Sequence, residues 1–253
     1  MISLEERMQR YESVFEGIVQ PRTPIIVRLD GSNFSSYTEQ LDSKPFNRKF
    51  IALMDKTAHE VCSRVQSVKF AYVASDEISL LIHPYKRFTS EPPFGGRIQK
   101  IVSITAGIAS AFFTMNSWML WKNDDSIDAG QYIDPAYFDA RVFTMPENEV
   151  ANYFVWRQRS YIRNAISGFA RTVFSANDLF KKNSDEMLQM MKASGHDFNE
   201  LSATMQRGRA ILYRNSGGYC SIYDTPKFSE NRNMFEEMLK TEEPETVHNQ
   251  TTI

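Results

Sequence analysis

Cysteine and histidine are scarce in this chain of 253 residues, numbering two and four. Cys62 and Cys220 form no metal-ligand spacing, and His59, His83, His196 and His248 are scattered, which excludes a zinc motif or a recognisable Ser-His-Asp arrangement. Cys62 falls on the apolar face of a predicted helix and reads as a buried free thiol. Long hydrophobic runs are missing as well. The longest weakly polar stretch, residues 104–113, is far below the roughly 20 residues a membrane span requires, and the first ten residues carry charges where a signal peptide needs an apolar stretch. These absences predict a cytoplasmic protein with no membrane segment. Net charge is small too, at −2, although its distribution is uneven: residues 151–214 hold ten Lys and Arg against five Asp and Glu, and residues 215–253 hold three against seven. The basic stretch suits either a phosphate backbone or a solvated helical face. What is plentiful is core material, 42% hydrophobic and 13% aromatic, enough for one large domain or two small ones.

The apolar stretch from Thr23 to Phe34 predicts a strand that ends in Asp30, followed at once by the flexible Gly31. A helix follows Lys44-Pro45, with Phe50, Leu53, Met54, Thr57, Ala58, Val61, Cys62 and Val65 in helical rhythm. Residues 69–83 predict two short strands around Ala74-Ser75-Asp76. The Pro92-Pro93-Phe94-Gly95-Gly96 loop precedes a helix over 97–119, and residues 137–145 predict another strand. The resulting βαββαβ order predicts an α+β, ferredoxin-like, mainly antiparallel sheet of the palm type over residues 1–146. Residues 147–240 are expected as a helical, basic region packed on it, with a helix over 147–175 and helix mixed with basic turns over 176–218. The polar tail 241–253 reads as disordered.

In this architecture Asp30 and Asp76 converge. An Asp in an otherwise apolar strand needs a partner or a cation to offset its desolvation, and two such carboxylates can share divalent cations for phosphoryl transfer. Strand alternation then turns Glu77 away from the site, as a solvent-side or salt-bridged residue. Phe34, Tyr72 and Trp156 have apolar neighbours and read as core.

Several strings resemble the tRNA(His) guanylyltransferase superfamily. They are Arg28-Leu-Asp-Gly-Ser-Asn-Phe34, Lys44-Pro45, Ala71-Tyr-Val-Ala-Ser-Asp-Glu77, Arg97-Ile-Gln-Lys-Ile-Val-Ser103, Phe138-Asp-Ala-Arg-Val-Phe143 and Tyr153-Phe-Val-Trp-Arg-Gln158, in family order from about residue 23 to 182. The pattern around Trp156-Arg157-Gln158 and Arg163-Asn164 is most similar to the guanylyltransferase-like proteins of bacteria, archaea and phages, which add nucleotides in the 3′–5′ direction to repair tRNA 5′ ends.

The resemblance implies a Mg2+-dependent nucleotidyltransferase in which Asp30, Asp76 and the carbonyl of Gly31 hold two Mg2+ ions. It places Ser32, Asn33, Phe34, Ser35, Lys44 and Ser75 at a nucleotide site for ATP and GTP. Arg97, Lys100, Ser103, Arg157, Arg159, Arg163, Asn164 and Arg171 are then contacts to triphosphate or RNA. Cations at the start of a helix oppose its dipole unless an anion binds nearby, which favours phosphate at Arg97 and Lys100. Arg159, Arg163 and Arg171 are expected to share one helix face, with Arg157 off it, serving the fold or the nucleotide site. Expected partners are tRNA or another RNA 5′ end, NTPs and further copies of the chain, as a dimer or tetramer. Ser32, Ser35 and Ser160 stand where relatives usually carry Arg, His and an acid, which implies weaker substrate contacts. The alternatives are a palm-type cyclase or transferase acting on a non-tRNA acceptor, and a non-catalytic RNA-binding relative, against which the joint presence of Asp30 and Asp76 argues.

Overall fold

The apolar runs around residues 25–29 and 68–82 form three central strands of one sheet in a computed structural model of the chain. The structure describes residues 2–39, 41, 45–87, 89–121, 134–214 and 216–241. Apart from Thr241, the expected disordered tail lies outside the described residues, as does Lys44. The elements run α1 (Leu4–Ser13), β1 (Ile25–Ser32), α2 (Phe34–Tyr37), α3 (Arg48–Arg64), β2 (Val68–Ala74), β3 (Glu77–Ile82), α4 (Ile98–Asn116), α5 (Trp118–Trp121) and β4 (Tyr137–Thr144). They continue with α6 (Glu147–Val173), α7 (Ser184–Ala193), α8 (Ala203–Arg207), β5 (Arg209–Arg214), β6 (Gly218–Ile222) and α9 (Asn233–Met238).

Sheet order is β4-β1-β3-β2-β5-β6, with every pairing antiparallel. The first four strands with α3 and α4 make the expected βαββαβ unit. Two strands were not expected. Residues 209–218 lie in a stretch read as helix and basic turns, yet Phe70 pairs with Leu212 and Val73 with Arg209, so the sheet extends across the division expected at residue 146. The run Ala210-Ile-Leu-Tyr213 is short and has arginine at both ends; the open edge of β2 makes it a strand.

Both faces of the sheet are covered, and β2 and β3 accordingly are buried along almost their whole length with no alternation of exposure. Val27, Leu29, Val73, Ile78 and Leu80 face α3 and α4. Ile26, Phe70, Tyr72 and Leu81 face α6 and α9. Asn47 caps α3, its side chain accepting from the Phe50 N–H at 2.9 Å. The inner stripe of α3 buries Leu53, Met54, Thr57, Ala58, Val61 and Cys62, and burial pushes the Cys62 thiol up to about 12. Helix α4 buries Ile101, Thr105, Ala109 and Phe113 at a four-residue spacing. By length and composition alone it is apolar enough to cross a membrane, a longer apolar element than residues 104–113 suggested.

One ion pair joins α3 to β5. The Arg209 guanidinium, 1% exposed, donates through Nε to Asp55 Oδ1 at 2.8 Å. Asp55→Ala should therefore cost about 3–5 kcal/mol in urea unfolding, because it strands a buried cation, and Asp55→Leu with Arg209→Met should recover much of the loss. A cost below about 1 kcal/mol for the single change would show that this charge is screened by something other than Asp55.

Candidate active site

β1 does not end at Asp30. Its pairing with β3 stops at Asp30↔Glu77, but its pairing with β4 continues through Gly31↔Phe138 and Ser32↔Tyr137. Where β3 stops, the Gly31 N–H donates to the Asp76 carbonyl at 3.1 Å, tying the two acidic segments together through backbone. Glycine is required here by close approach, since a Cβ on Gly31 would lie 2.5 Å from carbons of the Phe34 ring. That ring, expected at the nucleotide site, is buried against Phe113 and Phe138, at centroid distances of 5.1 and 4.9 Å.

Asp76 is not a strand residue. β2 and β3 are joined by a two-residue turn, Ser75-Asp76, with Ser75 at φ +56° and Ala74 opposite Glu77. Strand alternation therefore does not relate Asp76 to Glu77, and the expectation that Glu77 points away from the site fails. Glu77 lies opposite Asp30 and lines the same cleft, 5% exposed. Its charge is matched by Arg157, whose Nε donates to Oε1 at 2.8 Å and whose Nη2 donates to Oε2. Ser79 also donates to Oε1, at 3.0 Å, and the Tyr153 hydroxyl lies 2.9 Å from Ser79 Oγ. Arg157 thus serves Glu77, and its guanidinium lies over the Trp156 ring at 4.7 Å. Trp156, expected in the core, is 52% exposed, whereas Phe34 and Tyr72 are buried.

With Glu77 neutralised, Asp30 and Asp76 carry the unmatched charge. Burial raises the Asp76 carboxyl above its ordinary pKa; hydrogen bonds from its own backbone and from Ser75 oppose the shift, and nearby Asp30 and Glu77 add to it. Asp30, Ser75 and Asp76 line a cleft of about 330 Å3. A second cleft of about 500 Å3 shares Ser75, Asp76, Pro45 and Phe50 and adds Phe34, Ser35, Leu41 and Asn47.

Of the other expected contacts, Asn164 lines the first cleft and Arg171 the second; Ser160, where relatives usually carry an acid, also lines the first. Ser32, Asn33, Arg159 and Arg163 are exposed and line neither. Arg171 is therefore separated from the expected stripe: on α6 it lies about 120° from Arg159 around the helix axis. Arg97, Lys100 and Ser103 are also absent from both clefts. Ser110 and Thr114, near the other end of α4, accept from the N–H groups of Phe138 and Ala136, beside the residues facing Gly31 and Ser32. Arg97 begins that helix about 20 Å away along its axis, so it does not reach a triphosphate held at Asp30 in the same chain.

Sequence reading missed Arg209, Asp139, Arg28 and Arg141. Arg209 lines the cleft from β5, a strand it did not anticipate. Asp139 lies directly opposite Asp30, and Arg141 opposite Arg28. For Asp139 and Arg141 the signal was the alternation of charged with apolar residues along Phe138-Asp-Ala-Arg-Val142.

Among the described residues no group of three or more His, Cys, Asp or Glu forms a protein cage for a metal. Two carboxylates with adjacent backbone carbonyls fit a hard, oxygen-seeking cation such as Mg2+, which keeps waters and takes further ligands from substrate phosphates. The donors do not fit a thiolate- or imidazole-bound metal.

A profile of the tRNA(His) guanylyltransferase family matches residues 5–146. An uncharacterized protein of Acanthamoeba polyphaga mimivirus is 27% identical over 202 residues, covering 74% of this chain and 68% of its own. A tRNA(His) guanylyltransferase of Arabidopsis thaliana is 31% identical over 150 residues, 57% of this chain and 25% of that protein. For the probable human tRNA(His) guanylyltransferase the figures are 31% over 155 residues, 60% of this chain and 47% of the other, so the chain spans a quarter to a half of these two. A solved bacterial tRNA(His) guanylyltransferase-like protein in complex with ATP superposes with a TM-score of 0.84 at 32% identity, covering 94% of this chain and 99% of that one. A bacterial like-protein in complex with GTP gives 0.77 at 30%, covering 94% and 99%.

Two stability measurements check the site. Because Asp76 binds its proton more tightly folded than unfolded, its contribution to stability falls as pH rises. Asp76→Asn should melt above wild type at neutral pH without added metal. The gap should open between about pH 4, the unfolded-state value, and the raised native value, and stay constant above it. A gap independent of pH would contradict the charge assignment. Glu77→Ala should lower stability by about 3 kcal/mol in urea titration, since it strands Arg157 under α6; a neutral outcome would mean Glu77 and Arg157 are not coupled.

Proposed function

The chain belongs to the tRNA(His) guanylyltransferase family, a family of nucleotidyltransferases, and from that we propose that it is a Mg2+-dependent 3′–5′ nucleotidyltransferase acting on the 5′ end of tRNA or a tRNA-like RNA. The observation that carries this reading is the Gly31 N–H bond to the Asp76 carbonyl, which holds two unmatched carboxylates at one cleft while Arg157 neutralises the third. Bound Mg2+ would supply charge neutralisation and in-line orientation of phosphates. Asp30 and Asp76, with the Gly31 carbonyl, are the residues to hold it.

The remaining chemistry is positioning. The second cleft offers Leu41 and Phe50 as an apolar wall for a base, with Ser35 and Asn47 as polar edges. In this reading the phosphates of an ATP or GTP lie beside the acids, where the two clefts share Ser75 and Asp76. A 5′ monophosphate is first adenylylated: its oxygen forms a bond to the α-phosphorus of ATP as pyrophosphate departs. The 3′-hydroxyl oxygen of the incoming NTP then forms the new P–O bond and AMP departs; from a 5′ triphosphate the leaving group is pyrophosphate. Catalysis in this reading proceeds by placement and charge rather than by a protein base. The reading includes a homo-oligomer, dimer or tetramer, supported by the exposed Ile104, Met115 and Trp118 along α4 and α5. It also includes a cytoplasmic setting, where NTPs and tRNA are found and where Cys62 and Cys220 remain free thiols.

Purified protein with Mg2+, labelled ATP or GTP and 5′-truncated tRNA should transfer label to the RNA 5′ end. Asp30→Ala and Asp76→Ala should each lower that rate at least about 100-fold while keeping the wild-type circular dichroism. Cyclic or free dinucleotide products, or full activity in either variant, would overturn the reading.

A further inference from the structure

Two arginines beside the acidic pair have no partner among the described residues. Arg28 precedes Asp30 by two residues on β1 and is directly opposite Arg141 on β4. Val27 and Leu29 face the α3–α4 core, and Ala140 and Val142 pack against it, so alternation puts both guanidinium groups on the face that carries Asp30. Like charges directly opposite each other in an antiparallel pair repel. Neither guanidinium has a hydrogen-bond or ion-pair partner among the described residues, and Arg28 Nε is buried without an acceptor. A buried donor on a cation without an acceptor is costly. Together, these features describe a site suited to an anion.

The surroundings indicate which anion. β4 is the edge strand, and Tyr137, Asp139, Arg141 and Phe143 are its exposed positions. Moving away from Asp30, the arginine pair comes about 7 Å along the strands and Phe143 about 7 Å beyond that. The Phe143 ring touches Tyr153 at 5.6 Å, which in turn touches the exposed Trp156 at 6.0 Å. A step of two strand residues is of the order of one nucleotide and too long for neighbouring phosphorus atoms of one triphosphate. Phosphate contacts followed by exposed aromatic faces are what single-stranded nucleic acid uses.

We infer that this strip is the track of the RNA strand whose 5′ end reacts, with Arg28 and Arg141 gripping the phosphodiester next to the reacting phosphate and Phe143 and Trp156 stacking an unpaired base. The inference rests on the RNA reading of the site. It assigns Arg28 and Arg141 to the acceptor strand rather than to the incoming nucleotide.

The test is fluorescence anisotropy with a short, labelled, 5′-monophosphorylated single-stranded RNA over a range of salt, beside calorimetric titrations with ATP and GTP. Arg141→Gln changes an exposed edge-strand residue. It should weaken RNA binding about fivefold or more and flatten the salt slope by about 0.7, one phosphate contact on a single strand, while ATP and GTP affinities change less than about twofold. Trp156→Ala should weaken RNA binding without changing the salt slope, and Trp156→Phe should restore it. If Arg141→Gln leaves RNA binding and its salt slope at wild-type values while wild type still labels RNA 5′ ends, the track is wrong and the proposed function stands. If the variant weakens ATP or GTP as much as RNA, the arginines serve the triphosphate and the inference fails. A wild-type protein that neither binds the RNA nor labels 5′ ends removes both readings.

Discussion

The Ser75-Asp76 turn allows β2 and β3 one register, in which Ala74 faces Glu77, and that register carries across the sheet to Asp30 and on to Asp139. A two-residue connection leaves no slack, and a one-residue slip would exchange the two faces of β3. Leu80 would then point at α6 and Glu77 into the α3–α4 core. Both faces are packed, so both cores enforce the register, and the Gly31 N–H bond to Asp76 follows from it. The position of the two acids is thus a consequence of strand pairing.

Charge at this end of the sheet is divided by burial. Glu77 lies under α6 in an ion pair with Arg157, to which Ser79 adds a third donor and Tyr153 a bond to Ser79. Such a pair contributes specificity more than net stability, because desolvation offsets most of the Coulomb attraction. It also links the β2–β3 hairpin to α6, which lines both clefts. Asp30 and Asp76 keep some exposure and have no such partner among the described residues, so a cation between them would offset their repulsion. One helix therefore closes off one carboxylate and leaves two available.

The α6 side of the sheet continues this division outward. Near α6 it is covered, and along β4 it is open, with Arg28 and Arg141 facing each other across the strands. A stability-optimised sheet would not place like charges there. Departures of this kind concentrate where a protein binds something.

The sequence alone determined the βαββαβ order, the α3 stripe and the pairing of Asp30 with Asp76 as candidate ligands, because hydrophobic periodicity and strand-end acids are local signals. Strings such as Ala71-Tyr-Val-Ala-Ser-Asp-Glu77 also carried the family resemblance. Tertiary structure decided the rest. β5 and β6 exist because β2 has an open edge, which no local window contains. Glu77 faces the site because Asp76 occupies a turn and not a strand, a distinction of one backbone dihedral at Ser75. Trp156 is exposed although its neighbours are apolar, since a single turn of α6 separates a buried face from a wet one. Arg97 and Lys100 lie far from the acids because α4 runs the length of the sheet before β4 returns to Gly31. Each of these outcomes depends on which elements end up side by side, a property of long-range packing that residue spacing does not encode.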